Sequence, residues 1–415
     1  MLIRNYGSLA TSRQRRLALQ IIDAGISSVL VRNAVRDNVS LKNNVLTVKN
    51  MKFPLSRYRK IYVVGFGKAS IATARELERI LKSRITGGIV LDVSRGKLQR
   101  IKVRKCSHPV TSSKNVRATK ELIKILSMAK KDDLILCLVS GGGSAILESP
   151  DVPLPSYIRM NKALLRAGAD IHEMNIVRKH ISRVKGDQLL CALKEPATFI
   201  ALIESDVVGD DLAIIASGPT VYDKSTKVQA ERIISRYRLP KIKLHETPKV
   251  HWKNVHNILL LTNKVALAAM KKKSLELGLR AKVLTNKLEG EAREVGEKLA
   301  AMVRPGMVVL AAGETTVTVR GTGIGGRNQE LVLGALARID NAVVVSCGTD
   351  GIDNSPAAGG IVDIQTLAKA AKKNIYAQEY LDNNDSHTFL KKTGDTIMTG
   401  PTGTNVADIM LVLKL

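Results

Sequence analysis

The apolar positions of this chain follow two patterns that alternate along its length. Short continuous apolar runs read as strands buried on both faces. They lie at 61–64, 88–92, 134–139, 198–203, 258–261, 307–312 and 342–347. Between them, apolar residues recur at helical spacing. This predicts helices over 12–37, 70–81, 114–130, 156–168, 175–183, 264–277, 290–303, 328–337 and 367–373. In the first of these, Ala18, Ile22, Ile26 and Val29 share one face and Asp23 interrupts the apolar run. That marks an amphipathic helix rather than a signal peptide. Residues 314–319 alternate β-branched positions and predict a further strand directly after 307–312. Strand and helix alternate throughout, which predicts an α/β architecture with parallel, Rossmann-like sheets.

Between 239 and 254 the period disappears among prolines, histidines, several lysines and the only tryptophan, Trp252. A domain linker is expected there. With 415 residues, and domains of ~100–200 residues, the expected division is an N-terminal helical segment (1–44), an α/β domain (45–245) and a second α/β domain (246–415). His245, His251 and His256 lack the HExxH spacing of a helical zinc site and read as surface residues.

Charge narrows the partners. Lys+Arg 65 against Asp+Glu 37 gives a net charge of +28. Such a balance attracts nucleic acid, anionic membrane or phosphorylated ligands. The basic residues are scattered in pairs and triples, as at 130–131 and 271–273, and read as solvated helix surface. Aromatic residues are only 3%, too few for the stacking platforms of single-strand binders. No run of ~18 apolar residues predicts a membrane span. Four cysteines without CxxC spacing read as small core residues in a reducing compartment. The expected protein is cytoplasmic, a monomer or homodimer, and acts on small molecules, with no nucleic-acid or membrane partner.

The candidate chemistry sits where strands end, because open α/β sheets bind ligands outside their carboxyl ends. Gly65-Phe-Gly67-Lys68-Ala-Ser70 joins a strand to a helix and offers backbone amides and a cation to an anion. Its sixth position is Ser70, so the GxGxxG fingerprint is incomplete, and the spacing before Lys68 is wrong for a Walker A loop. Ser140-Gly141-Gly142-Gly143-Ser144 follows the most apolar run and suits a phosphate cradle. Asp206 follows another strand and can accept a hydroxyl proton or bind Mg²⁺. Glu314 precedes a glycine-dense loop that ends in Arg327-Asn328, where Arg327 presents a permanently charged fork. Asp350 follows the strand at 342–347, and the 400–405 turn brings Thr402 and Asn405 as hydroxyl or phosphate contacts. Gly142-Gly-Ser144-Ala-Ile misses the GxSxG nucleophile elbow at its last position, which counts against a hydrolase. The set fits phosphoryl transfer, which asks mainly for positioning and cations.

With these segments on view, the sequence resembles the glycerate 2-kinases of the family that carries a C-terminal MOFRL domain. The matching stretches begin with Val63-Val-Gly-Phe-Gly-Lys-Ala-Ser70, Ser107-His-Pro109, Leu138-Val-Ser-Gly-Gly-Gly-Ser-Ala145 and Asn175-Ile-Val-Arg-Lys-His-Ile-Ser182. They continue with Ser205-Asp-Val-Val-Gly-Asp210, Ala216-Ser-Gly-Pro-Thr220, Gly313-Glu-Thr-Thr-Val-Thr-Val319, Gly325-Gly-Arg-Asn-Gln-Glu330, Thr349-Asp-Gly-Ile-Asp353 and Thr399-Gly-Pro-Thr-Gly-Thr-Asn405. They span nearly the whole chain in order. The resemblance implies two Rossmann-like α/β domains with an active-site cleft between them, and a MOFRL region at about 305–412. It implies transfer of the γ-phosphoryl group of ATP to the 2-hydroxyl of D-glycerate, with Mg²⁺, giving 2-phosphoglycerate and ADP. In archaea such enzymes serve the branched, non-phosphorylating Entner-Doudoroff degradation of sugar acids. Lys68 and Arg327 match the family's active-site Lys and Arg, and Asp206 and Glu314 match acidic positions near the reacting groups. On this reading Asp206 orients or deprotonates the hydroxyl, and Glu314 or Asp350 helps hold Mg²⁺. One departure stands out. After Lys185-Gly186 the family has a second glycine and a basic residue, where this chain has Asp187-Gln188.

Two other readings compete. A nicotinamide-dependent hydroxypyruvate reductase would act on a related acid and would need Asp92 as its ribose-binding carboxylate. A nucleic-acid binder driven by the +28 charge would lose affinity steeply with salt.

Overall fold

The computed structural model describes residues 1–415. The chain forms two compact units, one built from residues 34–260 and the other from 1–33 together with 261–415. The first opens with a small antiparallel sheet of β1 (Val39–Lys42), β2 (Val45–Val48) and β3 (Met51–Pro54). Its main sheet holds β4 (Lys60–Phe66), β5 (Ile85–Asp92), β6 (Ile101–Lys105), β7 (Asp133–Val139), β8 (Thr198–Glu204) and β9 (Val255–Leu261). The spatial order is β6-β5-β4-β7-β8-β9, and β4 through β8 run parallel.

This is the doubly wound order in which the chain works outward from β4 in one direction, then returns to its other side. All seven residues of β7 are buried, as an unbroken apolar run between two helical layers requires. The helix Ser70–Leu81 turns Ile71, Ala74, Leu77 and Leu81 inward at helical spacing. The sheet's core gathers Val64, Phe66, Ile89, Leu122 and Phe199. A satellite core of Tyr157, Met160, Leu164, Val177 and Ile233 joins the helices Leu154–Arg166, Ile171–Lys179 and Lys227–Arg236.

The expected boundary at 239–254 is corrected: this unit continues to Leu260. The aperiodic stretch is irregular backbone pinned to its own domain. The His245 amide donates to the His180 carbonyl at 2.9 Å, and Lys249 Nζ donates to the Asp223 carbonyl at 2.9 Å. β9 then adds the last strand of the sheet. His245 is correspondingly no surface residue. Its side chain is 9% exposed and hydrogen bonds Gln188 at 2.8 Å.

The second unit carries β10 (Arg280–Leu288), β11 (Met307–Gly313), β12 (Ala342–Gly348), β13 (Gly359–Val362), β14 (Thr396–Ile397) and β15 (Asp408–Lys414). Their order is β10-β11-β15-β12-β13-β14. This sheet is mixed rather than wholly parallel. β10 and β11 are parallel, but β15 lies between β11 and β12 and runs antiparallel to both. The strand expected at 314–319 is also corrected. Only one isolated bridge, Glu291 to Thr316, forms there. The backbone donors of this stretch go instead to Leu288 and Gly290 carbonyls and to the Glu291 carboxylate.

The expected first helix is two, Arg13–Ser28 and Val31–Asn38. Asn33 Nδ2 donates to the Ser27 carbonyl at 2.7 Å where the first one ends. The helix Arg13–Ser28 packs on the helix Asn263–Glu276. The Cα of Gly25 approaches Met270 so closely that a Cβ would stand 2.7 Å from its Cγ. Arg15, fully buried, donates to Asp363 at 2.7 and 2.8 Å and to Asp395 at 2.7 Å. Cys106, Cys137 and Cys347 are buried free thiols, as expected of core residues, whereas Cys191 is exposed.

Arg15→Met would keep the bulk of the side chain and leave the buried Asp363 carboxylate without its cation, while Asp395 keeps Lys369 at 2.8 Å. Leaving a buried charge unpaired costs about 3–5 kcal/mol, so denaturant unfolding of this variant should show a loss of that size.

Candidate active site

The main sheet of the 34–260 unit reverses its winding between β4 and β7, and both strands end at this switch point in the glycine segments singled out above. The two ends are laced together. The Ser140 amide donates to the Phe66 carbonyl at 3.2 Å and the Lys68 amide to the Gly141 carbonyl at 2.9 Å. Ser140 Oγ accepts from the Ala69 amide at 3.1 Å. Gly67 sits at φ +123°, and a Cβ there would lie 2.2 Å from Ser140 Oγ.

The loop beyond Ser140 brings the charged groups together. A Cβ on Gly141 would stand 2.2 Å from Asp206 Oδ2. Gly142, at φ +79°, would place one 3.3 Å from Lys68 Cε and 3.0 Å from the His108 ring. Glycine is therefore required at 141 and 142 so that an ammonium, an imidazole and a carboxylate can close on one loop. Not every expected contact faces this space. Gly65 lies inside β4, packed on Leu138. Ser140 is buried and spent on Ala69, and Gly143 is packed against Ala216 and Phe66. Ser144 Oγ meets Ser217 Oγ at 2.9 Å, and Ser217 donates to Asn175 at 2.8 Å.

Beneath the loop, buried ionisable groups hold it. Lys185 Nζ donates to the Ser144 and Leu147 carbonyls at 2.9 Å and pairs with Glu148 at 3.0 Å. Burial lowers this ammonium below the usual lysine value, while the Glu148 carboxylate opposes that shift. Asp187, the departure noted in the sequence, is buried without a hydrogen-bond partner on either oxygen. Burial and the nearby Asp223 carboxylate push it up to about 7. Asp92 accepts from the Ile71 amide at 3.1 Å and from Ser70 Oγ at 3.2 Å, so it caps the helix Ser70–Leu81 from within. Glu204, fully buried at the end of β8, receives the Thr73 hydroxyl. Burial pushes it up to about 7, with Asp206 and Asp92 adding to the shift.

The other candidates gather in the second unit, where β11 and β12 end and β15 begins. Arg327 opens the helix Arg327–Ala335. It donates to Asp408 at 2.5 and 3.2 Å and to the Glu314 carboxylate. Burial opposes its charge, but the hydrogen bonds and charges of Asp408, Glu314 and Asp353 outweigh that and hold the guanidinium firmly protonated. Burial in turn raises Asp408 to about 6, against the pull of Arg327. Asp350 stands on the same rim. A Cβ on Gly348 would be 3.1 Å from Asp350 Oδ1 and 3.5 Å from Asp408 Oδ1. Thr402 Oγ1 donates to the Thr349 carbonyl at 2.6 Å, and Asn405 Oδ1 accepts from the Ala407 amide at 3.1 Å.

One expectation changes here. Asn328 is 1% exposed. Its amide and carbonyl are taken by Asp353 and Ser346, so it shapes the helix start instead of facing a ligand. Glu314 is paired with Arg327, and no group of three or more His, Cys, Asp or Glu side chains is arranged to hold a metal. Sequence reasoning missed His108, Ser217 and Asp408 as parts of these clusters. His108 lies within the Ser107-His-Pro109 segment quoted above. Asp408 carries no motif at all, and only the antiparallel insertion of β15 brings it to Arg327.

Comparison with known proteins places these features in a family. Residues 17–248 match the model described as a domain of unknown function, DUF4147, and residues 307–408 match the MOFRL family. The chain is 38% identical to a glycerate 2-kinase of Pyrococcus horikoshii, covering 96% of this chain and 97% of that one. It is 34% identical to a D-glycerate 2-kinase of Thermotoga maritima, covering 96% and 98%. The crystal structure of a Thermotoga maritima glycerate kinase superposes with a TM-score of 0.88 at 34% identity, over 96% of this chain and 99% of that one. With both family models matched in order and relatives alike from end to end, this chain belongs to the family that joins a DUF4147 domain to a C-terminal MOFRL domain.

Proposed function

We propose that this protein is a glycerate 2-kinase that moves the γ-phosphoryl group of ATP to the 2-hydroxyl of D-glycerate. The observation that carries this reading is the convergence of Lys68 and Asp206 on Gly141 and Gly142 at the switch point of the sheet. It is supported by likeness to glycerate 2-kinases over nearly the whole chain.

In this mechanism the open amides at Gly141 and Gly142 receive phosphate oxygens, and Lys68 neutralises the charge that spreads over them. Asp206 accepts the proton of the attacking 2-hydroxyl as the new O–P bond forms and the bond to the ADP oxygen breaks. Arg327, held in place by Asp408 and Glu314, presents a fixed cation to the carboxylate or phosphoryl group. Thr402 and Asn405 contribute hydroxyl and amide contacts. The residues fit a magnesium ion only as one that arrives with the nucleotide. Asp350 or Glu314 would supply the protein oxygen, and the ion would neutralise phosphate charge while keeping several waters. Glu204 has a place here too. A carboxyl whose ionisation is pushed up to about 7 confronts the incoming phosphates with less negative charge than an ordinary glutamate would.

The reductase reading loses its support at Asp92, whose carboxylate is 1% exposed and spent on its own helix start. Soluble small-molecule action in the cytoplasm, without nucleic acid, follows from the same reading.

Incubation with ATP, Mg²⁺ and D-glycerate should yield 2-phosphoglycerate, identified by ³¹P NMR. Failure of well-folded protein to phosphorylate glycerate would sink the proposal. Lys68→Ala and Arg327→Ala should each lower kcat by about 10²–10³, the usual cost of removing one charge-stabilising donor. A rise in KM alone would assign them to ground-state binding.

Glu204→Gln tests this raised carboxyl. The parent pays for burying a group that ionises in the unfolded chain above about 4.5 but in the folded one only near 7. The variant's advantage in melting temperature should therefore grow as pH rises from 4.5 to 7 and then level off. A pH-independent difference would contradict the raised value.

A further inference from the structure

A cavity of about 320 Å³ opens beside the glycine loop within the 34–260 unit. Gly142, Ser144 and Ala145 form one wall, and the helix Leu154–Arg166 forms another through Tyr157, Ile158 and Leu165. Gly142 and Ser144 thus belong to both the loop and the cavity. Most of the lining surface is apolar. Of its polar side chains, Asn161, Arg178 and Thr111 are engaged in hydrogen bonds, and His108 and Lys162 also reach the wall. Asn161 donates to the Tyr157 carbonyl at 2.9 Å and accepts from Arg178 Nε at 2.6 Å. Thr111 Oγ1 donates to the Ala145 carbonyl at 2.9 Å.

Glycerate would use only a small part of this mostly apolar space. It is small, and each of its carbons carries a hydroxyl or a carboxylate that an apolar wall would leave without partners. A nucleotide divides differently. Its base is a large flat ring system with two apolar faces, and its phosphates want backbone amides and a cation. The cavity and the loop offer these two environments side by side.

We propose that this cavity takes the purine nucleoside end of the nucleotide, with its phosphates running over Gly142 and Ser144 toward Lys68. The assignment rests on the phosphoryl-transfer reading and adds to it the place where the base is gripped. Apolar contact with Ile158 and Leu165 supplies the grip, and the phosphate loop sets the distance.

The test is calorimetric titration of the full chain with ADP and, separately, with inorganic tripolyphosphate, which has the phosphates without the nucleoside. Ile158→Trp fills the cavity and Leu165→Asp places a charge on its exposed lip. Both variants should bind ADP at least about tenfold more weakly, a change easily resolved by titration, and bind tripolyphosphate as the parent does. Parental ADP affinity in both folded variants, or equal weakening of both ligands, would overturn the assignment. Photolabelling of the parent with 8-azido-ADP gives a readout that needs no variant. Label on residues 154–165 is expected, and label confined elsewhere would also overturn it. If the parent transfers phosphate to glycerate and yet binds ADP away from this wall, only the cavity assignment falls. If the parent transfers no phosphate from ATP to glycerate, the kinase reading itself falls.

Discussion

The approach of two strand ends at Gly67 and Ser140 sets the geometry on which the candidate site depends. No side chain fits between them, and the Ser140 hydroxyl ties the first backbone amide of the next turn. Because both strands belong to one parallel sheet, this knot is carried on a rigid support. Lys68 leaves from one end and the glycine loop from the other, so their separation is fixed by sheet register. Asp206 comes from the neighbouring strand end under the same constraint. The geometry of the site is therefore a property of the sheet, and the loops add little freedom of their own.

The polar interior beneath the loop extends that rigidity. Lys185 reaches up from full burial to hold the carbonyls of Ser144 and Leu147, with Glu148 balancing its charge. A buried pair of this kind gives little net stability. Its effect here is to fix the backbone just past the glycines. In the other unit Arg327 is held in the same manner by Asp408 and Glu314. The two cations therefore meet their tasks differently: Lys68 is exposed on a flexible stem, whereas Arg327 is clamped at its fork.

Much of this was legible in the sequence, and the parts that were not have common causes. The helix at 70–81 and the strand at 133–139 are strongly periodic or strongly apolar, so local pattern alone reveals them. Gly141 and Gly142 announced a backbone under close approach, though not which groups approach. β10 was missed because its burial pattern is mostly exposed and intermediate. Residues 314–319 were misread because β-branched alternation says nothing of where backbone donors will go. Asn328 looked like a ligand contact, but Asp353 and Ser346 claim it. β15 and Asp408 were beyond reach, since the insertion of β15 between β11 and β12 is the longest-range strand pairing in the chain.

The N-terminal segment has a consequence for how the protein is made. The helix Arg13–Ser28 belongs with residues 261–415, and the partners of Arg15 lie at Asp363 and Asp395. During synthesis the segment leaves the ribosome well before its partners and cannot bury its apolar face until β12 and β15 have emerged. The middle of the chain can meanwhile assemble its own sheet. An amphipathic helix with an unpaired arginine thus waits, exposed, through most of translation. Its many flanking basic residues, Arg13 and Arg16 among them, keep that waiting segment hydrated and make it a poor nucleus for aggregation.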